Sequence, residues 1–223
     1  MLVKAEGNRL DDKLAEVVAK IAIAGDLVIF PTDTIYGIGT SAFSEAGIMR
    51  LFSIKKRPVN QPVGMFVNGF DMLATVTTLP DNVAAFLFSV WPDAVTCILP
   101  RKQNVQVFTT PTKVQLGSVG VRMPKNPIIN KLVSVMGVPL LETSINVSTQ
   151  PFLRRKELLT GYERFAQVMI DGGDEPDDAP STILDLTRKK AVLIRNGSYN
   201  WKELKEKLSQ SGIEWDENQT IPA

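Results

Sequence analysis

Histidine is absent from the 223 residues, and cysteine occurs once, as Cys97. The first absence excludes Ser-His-Asp and Cys-His nucleophilic machinery and imidazole metal ligands. Together the two exclude zinc sites built from Cys and His. A lone cysteine also excludes an internal disulfide and fits a reducing compartment. No apolar run approaches the roughly 18–20 residues of a membrane-spanning helix. The segment Met1 to Glu6 lacks the apolar core of a secretory leader. A cytoplasmic location without membrane contact is therefore expected. An excess of either charge is lacking too. The 25 Lys and Arg against 24 Asp and Glu leave a net charge of +1, which gives no global pull toward nucleic acid or acidic membranes. Any catalysis must run on carboxylates, hydroxyls, amides, lysine, arginine and backbone, or on an ion held by oxygen. What is present is a hydrophobic fraction of 44 %, ordinary for a globular protein and enough for a sizeable core. The length suits one domain, with or without a tail.

One run stands out: Pro31-Thr32-Asp33-Thr34-Ile35-Tyr36-Gly37-Ile38-Gly39. It follows an apolar stretch, Leu27 to Phe30, that reads as a buried strand. A hydroxyl- and glycine-rich loop at the end of such a strand is where open α/β sheets bind ligands. Leu10, Leu14, Val17, Val18 and Ile21 repeat at helical spacing, predicting a helix over about 10–24 with Gly25 as its stop. Ser44 predicts the cap of a helix over about 45–56, ended by Pro58. Further helices are expected over about 81–90, 126–136, 156–166 and 200–208. Strands are expected near 63–67, 95–99, 118–123, 138–141, 168–170, 181–186 and 191–194. A short charged turn joins the last two, which makes them antiparallel. The alternation, without repeat or linker, predicts one α/β domain over 1–210 and a loose polar tail over 211–223.

Gly37 to Ala42 formally matches the dinucleotide pattern G-x-G-x-x-A. The approach to its first glycine is too long for the tight turn, and no acidic residue closes a ribose site. Gly37 and Gly39 are read instead as a backbone turn that lets the next helix pack closely. Lys55 and Arg57 have two readings. They are either favourable charge at a helix C-terminus or a phosphate clamp made of a point charge and a bidentate fork. Pro58 and the following strand turn the chain back to the sheet, which favours the clamp. Thr143, Ser144, Asn146 and Ser148 either cap a loop or hold phosphate and ribose. Arg122 lies inside an apolar strand and needs a partner, a structural carboxylate or a ligand's. Ser181 opens one strand and Arg195 closes the next.

In order and spacing these blocks resemble the YrdC-like family of threonylcarbamoyl-AMP synthases (YrdC, YciO, TsaC) in its short single-domain form. The blocks are Pro31 to Gly39, Lys55-Lys56-Arg57-Pro58 with Pro62, Trp91-Pro92 with Thr96, and Gly120 to Pro124. They continue with Thr143-Ser144-Ile145-Asn146, Gly172-Gly173, Ser181 to Leu186 and Leu193 to Gly197. The resemblance implies a twisted, open, mixed sheet flanked by helices, with a concave basic cavity. It implies that L-threonine, bicarbonate and ATP give threonylcarbamoyl-AMP and pyrophosphate, with Mg²⁺ arriving on ATP and no metal held by the protein. The product would pass to a tRNA-modifying transferase that makes threonylcarbamoyladenosine. A weak RNA contact through Lys55, Lys56, Arg57, Arg154, Arg155 and Lys156 is a further expectation. By the same resemblance Lys55 and Arg57 bind the ATP phosphates, and Ser144 and Asn146 hold the nucleotide; these four form the catalytic set. Arg195 reaches the nucleotide. Thr32, Arg122, Thr143 and Ser181 frame threonine, with Arg122 pairing its carboxylate. Four positions depart from the family pattern. Asp93 follows Pro92 in place of glycine, Ile145 replaces alanine, Thr149 replaces glycine, and Phe66 stands where some members have histidine. The bulk of Ile145 is expected to narrow the pocket. The alternative is a divergent relative that binds nucleotide or RNA without threonine-dependent synthesis.

Overall fold

Ten strands join one sheet in the computed structural model, which describes residues 1–111, 116–146, 151–174 and 179–217. The strands are β1 (Leu2–Lys4), β2 (Val28–Phe30), β3 (Gly37–Ser41), β4 (Gly64–Phe66), β5 (Val95–Pro100), β6 (Ser118–Arg122), β7 (Leu140–Ser144), β8 (Val168–Asp171), β9 (Thr182–Asp185) and β10 (Val192–Arg195). Their order across the sheet is β1-β8-β2-β3-β7-β4-β6-β5-β9-β10. Parallel pairs such as β4/β6 and β5/β9 alternate with antiparallel ones such as β3/β7 and β9/β10, so the sheet is mixed, as expected. The helices are α1 (Asp12–Ile23), α2 (Glu45–Lys55), α3 (Phe70–Val76), α4 (Asp81–Val90), α5 (Pro127–Met136), α6 (Arg155–Leu158) and α7 (Trp201–Gln210).

Local chemistry sets the helix ends. The Asp11 side chain accepts from the backbone of Lys13 and Leu14, at 2.9 and 3.1 Å, and so starts α1. Ser44 accepts from Gly47 at 3.0 Å and starts α2. Asn126 and Pro127 start α5, and Gly137, with φ 65°, ends it. The buried face of α1 is Ala15, Val18, Ala19 and Ala22, while Leu14 and Val17 stay 36 % and 43 % exposed. The larger side chains suggested one face; the small ones win because alanine lets the helix lie close on the sheet.

Alternation along the strands divides the core in two. Val28, Phe30, Val168 and Ile170 pack with α1 and α5 on one face. Ile29, Ile38, Met65 and Met169 pack on the other with α2, α4 and α7. The first face runs on past α1 and α5 to β4, β6, β5 and β9, where a cavity opens (below).

Four expectations are corrected. Gly37 and Gly39 belong to β3, paired on both sides, and make no turn. A side chain at Gly39 would place its Cβ 1.8 Å from the Leu141 carbonyl oxygen, and one at Gly37 would meet the Phe30 ring at 2.6 Å. Strand β7 runs on through Glu142, Thr143 and Ser144, beyond the 138–141 expected. The helix expected over 156–166 is only α6, followed by a 3₁₀ turn at Tyr162–Arg164; Gly161, with extended φ, breaks the run. Residues 211–217 are less loose than their composition suggests. Trp215 bridges Ala191, the Ala191 amide donates to Glu214 at 2.7 Å, and Ile213 is buried. Helix α3 had no sequence signal, being short and begun by Gly69 without a side-chain cap.

Candidate functional site

The uncovered part of the first face forms a cavity of about 290 Å³, near the lower end of the usual ligand-pocket range. Its floor is low because glycines sit side by side on neighbouring strands. Gly64 pairs with Glu142, and Gly120 lies next to Gly64. Around this floor stand Thr32, Thr34, Arg57, Phe66, Thr96, Arg122, Ser144, Ser181 and Arg195.

The two pairs of residues that the sequence singled out meet in space. Lys55, at the last turn of α2, is 2 % exposed. Its Nζ donates to the Ser144 carbonyl and, at 2.7 Å, to Asn146 Oδ1. Ser144 Oγ also donates to Asn146 Oδ1, at 2.9 Å. Arg57 is aimed by the turn that follows α2: its Nε donates to the Gln61 carbonyl at 2.8 Å and its Nη2 to that of Pro62 at 2.9 Å. Burial, then the neighbouring Arg57, pushes the Lys55 ammonium down to about 8, against the pull of Glu142. Burial also lowers Arg57 and Arg195 from the ordinary arginine range.

That value gives a pH dependence. Lys55 is cationic below about 8 and neutral above it. Pyrophosphate, as a probe, is expected to bind about tenfold more weakly at pH 9 than at pH 7, the ratio of the protonated fractions. Titration calorimetry at the two pH values measures it; equal affinities contradict a phosphate contact by the Lys55 charge.

On the opposite wall, Arg122 is 3 % exposed and has a carboxylate partner within the protein. Its Nη2 pairs with Asp33, its Nη1 donates to Thr34 Oγ1 at 3.3 Å, and its Nε donates to the Asp93 carbonyl at 3.2 Å. The guanidinium lies 5.7 Å from the Phe66 ring centre. So the structural carboxylate, left open in the sequence, exists, and Arg122 still edges the cavity. Thr32 Oγ1 donates to the Ile35 carbonyl at 2.7 Å and accepts from the Thr34 amide at 2.9 Å and from Thr34 Oγ1 at 3.0 Å. Its hydroxyl is fully used in holding the loop. Thr143 borders the cavity, but its register opposite Ile38 turns its side chain toward the reverse face. Ser181 Oγ lies 2.8 Å from Thr96 Oγ1 and accepts from Arg195 Nη2 at 3.2 Å, while Arg195 Nε donates to the Ser181 carbonyl at 2.9 Å.

Ile145 does not narrow the cavity. It is 2 % exposed and packs in the apolar cluster on the reverse face, as the alternation after Ser144 requires. Asp93 turns the chain beside Arg122, accepting from the Ala94 amide at 2.7 Å. Ser148 and Thr149 lie outside the described residues. Of the RNA-contact candidates, Arg155 is engaged by Asp171 and, at 3.2 Å, by Asp174. Sequence reasoning missed Thr34 and Glu142 as cavity residues and Asp33 as the partner of Arg122. Glu142 was legible in principle: it follows the apolar run Val138 to Leu141 and alternates with Ser144. Among the described residues no cluster of three acidic or cysteine side chains could cage a metal, and no helix is long and apolar enough to cross a membrane.

Comparison with known proteins adds the following. A family model for Sua5, YciO and YrdC proteins, described as telomere recombination, matches residues 20–197. A threonylcarbamoyl-AMP synthase of Pyrococcus abyssi is 28 % identical over 208 residues, spanning 92 % of this chain. This chain covers only 60 % of that protein's length. A putative threonylcarbamoyl-AMP synthase of Mycobacterium leprae is 31 % identical over 197 residues, 87 % of each chain. The crystal structure of P. abyssi Sua5 complexed with L-threonine superposes with a TM-score of 0.85 at 26 % identity, covering 97 % of this chain and 62 % of that one.

Proposed function

The chain belongs to the Sua5–YciO–YrdC family, and from that premise we propose that it is a threonylcarbamoyl-AMP synthase. One observation carries the reading. Arg57 and Ser144 line the same cavity as Thr34, Arg122, Thr96, Ser181 and Arg195, and Ser144 bonds to both Lys55 and Asn146. A polyphosphate subsite and a small polar subsite thus share one floor.

The chemistry suits a chain without histidine. The threonine amine captures carbon dioxide, delivered as bicarbonate, to form a carbamate. A carbamate oxygen attacks the α-phosphorus of ATP; a new P–O bond forms and the bond to pyrophosphate breaks. The nucleophile is already an anion, so this step needs positioning and charge neutralisation more than a base. Lys55 and Arg57 would stabilise the phosphates, Ser144 and Asn146 would hold the nucleotide, and Arg195 would reach it. Ser181 and Arg122 would frame threonine, with Thr32 fixing the loop and Thr143 bordering it. Mg²⁺ on the triphosphate would supply further charge neutralisation, held by phosphate oxygens in place of a protein cage. The enzyme class is nucleotidyltransferase, and the product would serve a tRNA-modifying transferase in the cytoplasm. The alternative of a relative without synthase activity loses one ground, because Ile145 faces the core. Pyrophosphate release from ATP that requires both L-threonine and bicarbonate tests the reading; release no higher than with L-alanine contradicts it.

A further inference from the structure

Glu142 is the one acidic side chain lining the cavity among the described residues. It stands on the cavity floor in β7, with glycine as its cross-strand neighbour on either side, Gly39 and Gly64. The Phe30 ring fills the space over Gly39, and Glu142 Oε1 leans over Gly64, 3.0 Å from where a Cβ there would be. Among the described residues it makes no hydrogen bond or close ion pair; its interactions with the cations are long-range. Those cations face it from every side: Lys55 and Arg57 at the end of α2, Arg122 from β6 and Arg195 from β10. Each of them is tied elsewhere, to Asn146, Pro62, Asp33 and Ser181 respectively. Asp33, the carboxylate beside Arg122, is taken up by Arg122 and the Lys125 amide.

A carboxylate here helps to keep Lys55, Arg57 and Arg195 charged, yet it repels an arriving anion. Its side chain has no hydrogen bond of its own, which makes a half-buried charge costly until a donor arrives. With no acidic cluster around it, it is a poor cage for a metal. It is suited to a small organic cation that arrives with anionic neighbours. An α-amino acid is such a ligand, and its ammonium is the only organic cation among the reactants proposed above.

We propose that Glu142 receives the α-ammonium of the amino-acid substrate and takes its proton as the carbamate forms. This assignment rests on the synthase reading. The step balances: R–NH₃⁺, HCO₃⁻ and the Glu142 carboxylate give R–NH–COO⁻, water and the Glu142 carboxylic acid. The N–C bond forms, one C–O bond of bicarbonate breaks, and the surplus proton rests on Glu142. Its neutralisation also removes the repulsion that a charged Glu142 would exert on the carbamate and the triphosphate. Burial raises the Glu142 carboxyl above the ordinary range while the four cations pull it back, which fits a proton acceptor whose affinity changes with its neighbours' charge.

The test compares L-threonine with 2,3-dihydroxybutanoate, the same acid with hydroxyl in place of ammonium, by titration calorimetry. The wild type should bind L-threonine at least about tenfold more tightly, and Glu142→Gln should bind the two about equally. In turnover, Glu142→Gln should lower kcat for pyrophosphate release about 100-fold, lose the acidic limb of the pH profile and bind ATP no less tightly. A wild type indifferent to the ammonium overturns the proposal without any variant, so a Glu142→Gln protein that fails to fold does not protect it. Wild-type turnover in a folded Glu142→Gln overturns it and leaves the synthase reading standing. Ammonium preference that depends on Glu142, without pyrophosphate release in the wild type, supports the contact and overturns the synthase reading.

Discussion

Lys55→Met is expected to lower threonine-dependent pyrophosphate release by about 10²–10³-fold, the range for removing one preorganised charge from a developing anion. The reason is geometric. Lys55 is held from both sides, by the Ser144 carbonyl and by Asn146 Oδ1, so its charge needs no reorganisation when phosphate arrives. Methionine keeps the aliphatic length and removes the charge. The fold should survive: burial already disfavours the ammonium, and Asn146 Oδ1 keeps its bond from Ser144 Oγ. Steady-state assays beside a thermal melt separate the two effects. A loss below tenfold, with Tm unchanged, would remove Lys55 from the catalytic set.

The second large effect concerns the fold. Gly39→Ala is expected to cost at least about 4 kcal/mol, in the range reserved for a named packing defect. Its Cβ would stand 1.8 Å from the Leu141 carbonyl oxygen and 3.2 Å from the Phe30 ring. Backbone cannot swing aside as a flexible side chain can, so the β3–β7 register from Gly37↔Ser144 to Ser41↔Leu140 must open. For a domain of this size the melting temperature should fall by roughly 8–16 °C. Gly117→Ala, where nothing lies within 4 Å of the added carbon, should stay within about 0.5 kcal/mol. Equal melting temperatures for the two variants would contradict the packing account of Gly39. Because Ser144 sits on this register, the same substitution should also disturb the Lys55 network.

Much of this arrangement can be read in the chain before any coordinates. The cap at Ser44 and the stop before Pro58 are local signals, decided by a few atoms, and they mark α2 closely. The Lys55/Arg57 and Ser144/Asn146 pairs are legible as chemistry because cations and acceptors at the ends of apolar elements have few other uses. What the residues could not reveal depends on partners far along the chain. Gly37 and Gly39 look like a turn until Phe30 and Leu141 are known to occupy the space beside them. Glu142 and Ser144 hide the length of β7, because polar side chains that face a cavity imitate ones facing solvent. Thr32 looks like a ligand contact, yet its hydroxyl is spent within its own loop. Ile145 looks like an obstruction, and strand alternation sends it into the core. In each case tertiary context overrides residue type.

The central claim is that one cavity joins an amino acid's carbamate to the α-phosphate of ATP. The most direct measurement incubates the protein with ATP, L-threonine and ¹³C-bicarbonate and follows adenylates by mass spectrometry, with pyrophosphate measured alongside. The account predicts threonylcarbamoyl-AMP that carries the bicarbonate carbon, formed one for one with pyrophosphate and absent when L-alanine replaces L-threonine. An adenylate without the label, or none above the L-alanine control, would contradict it.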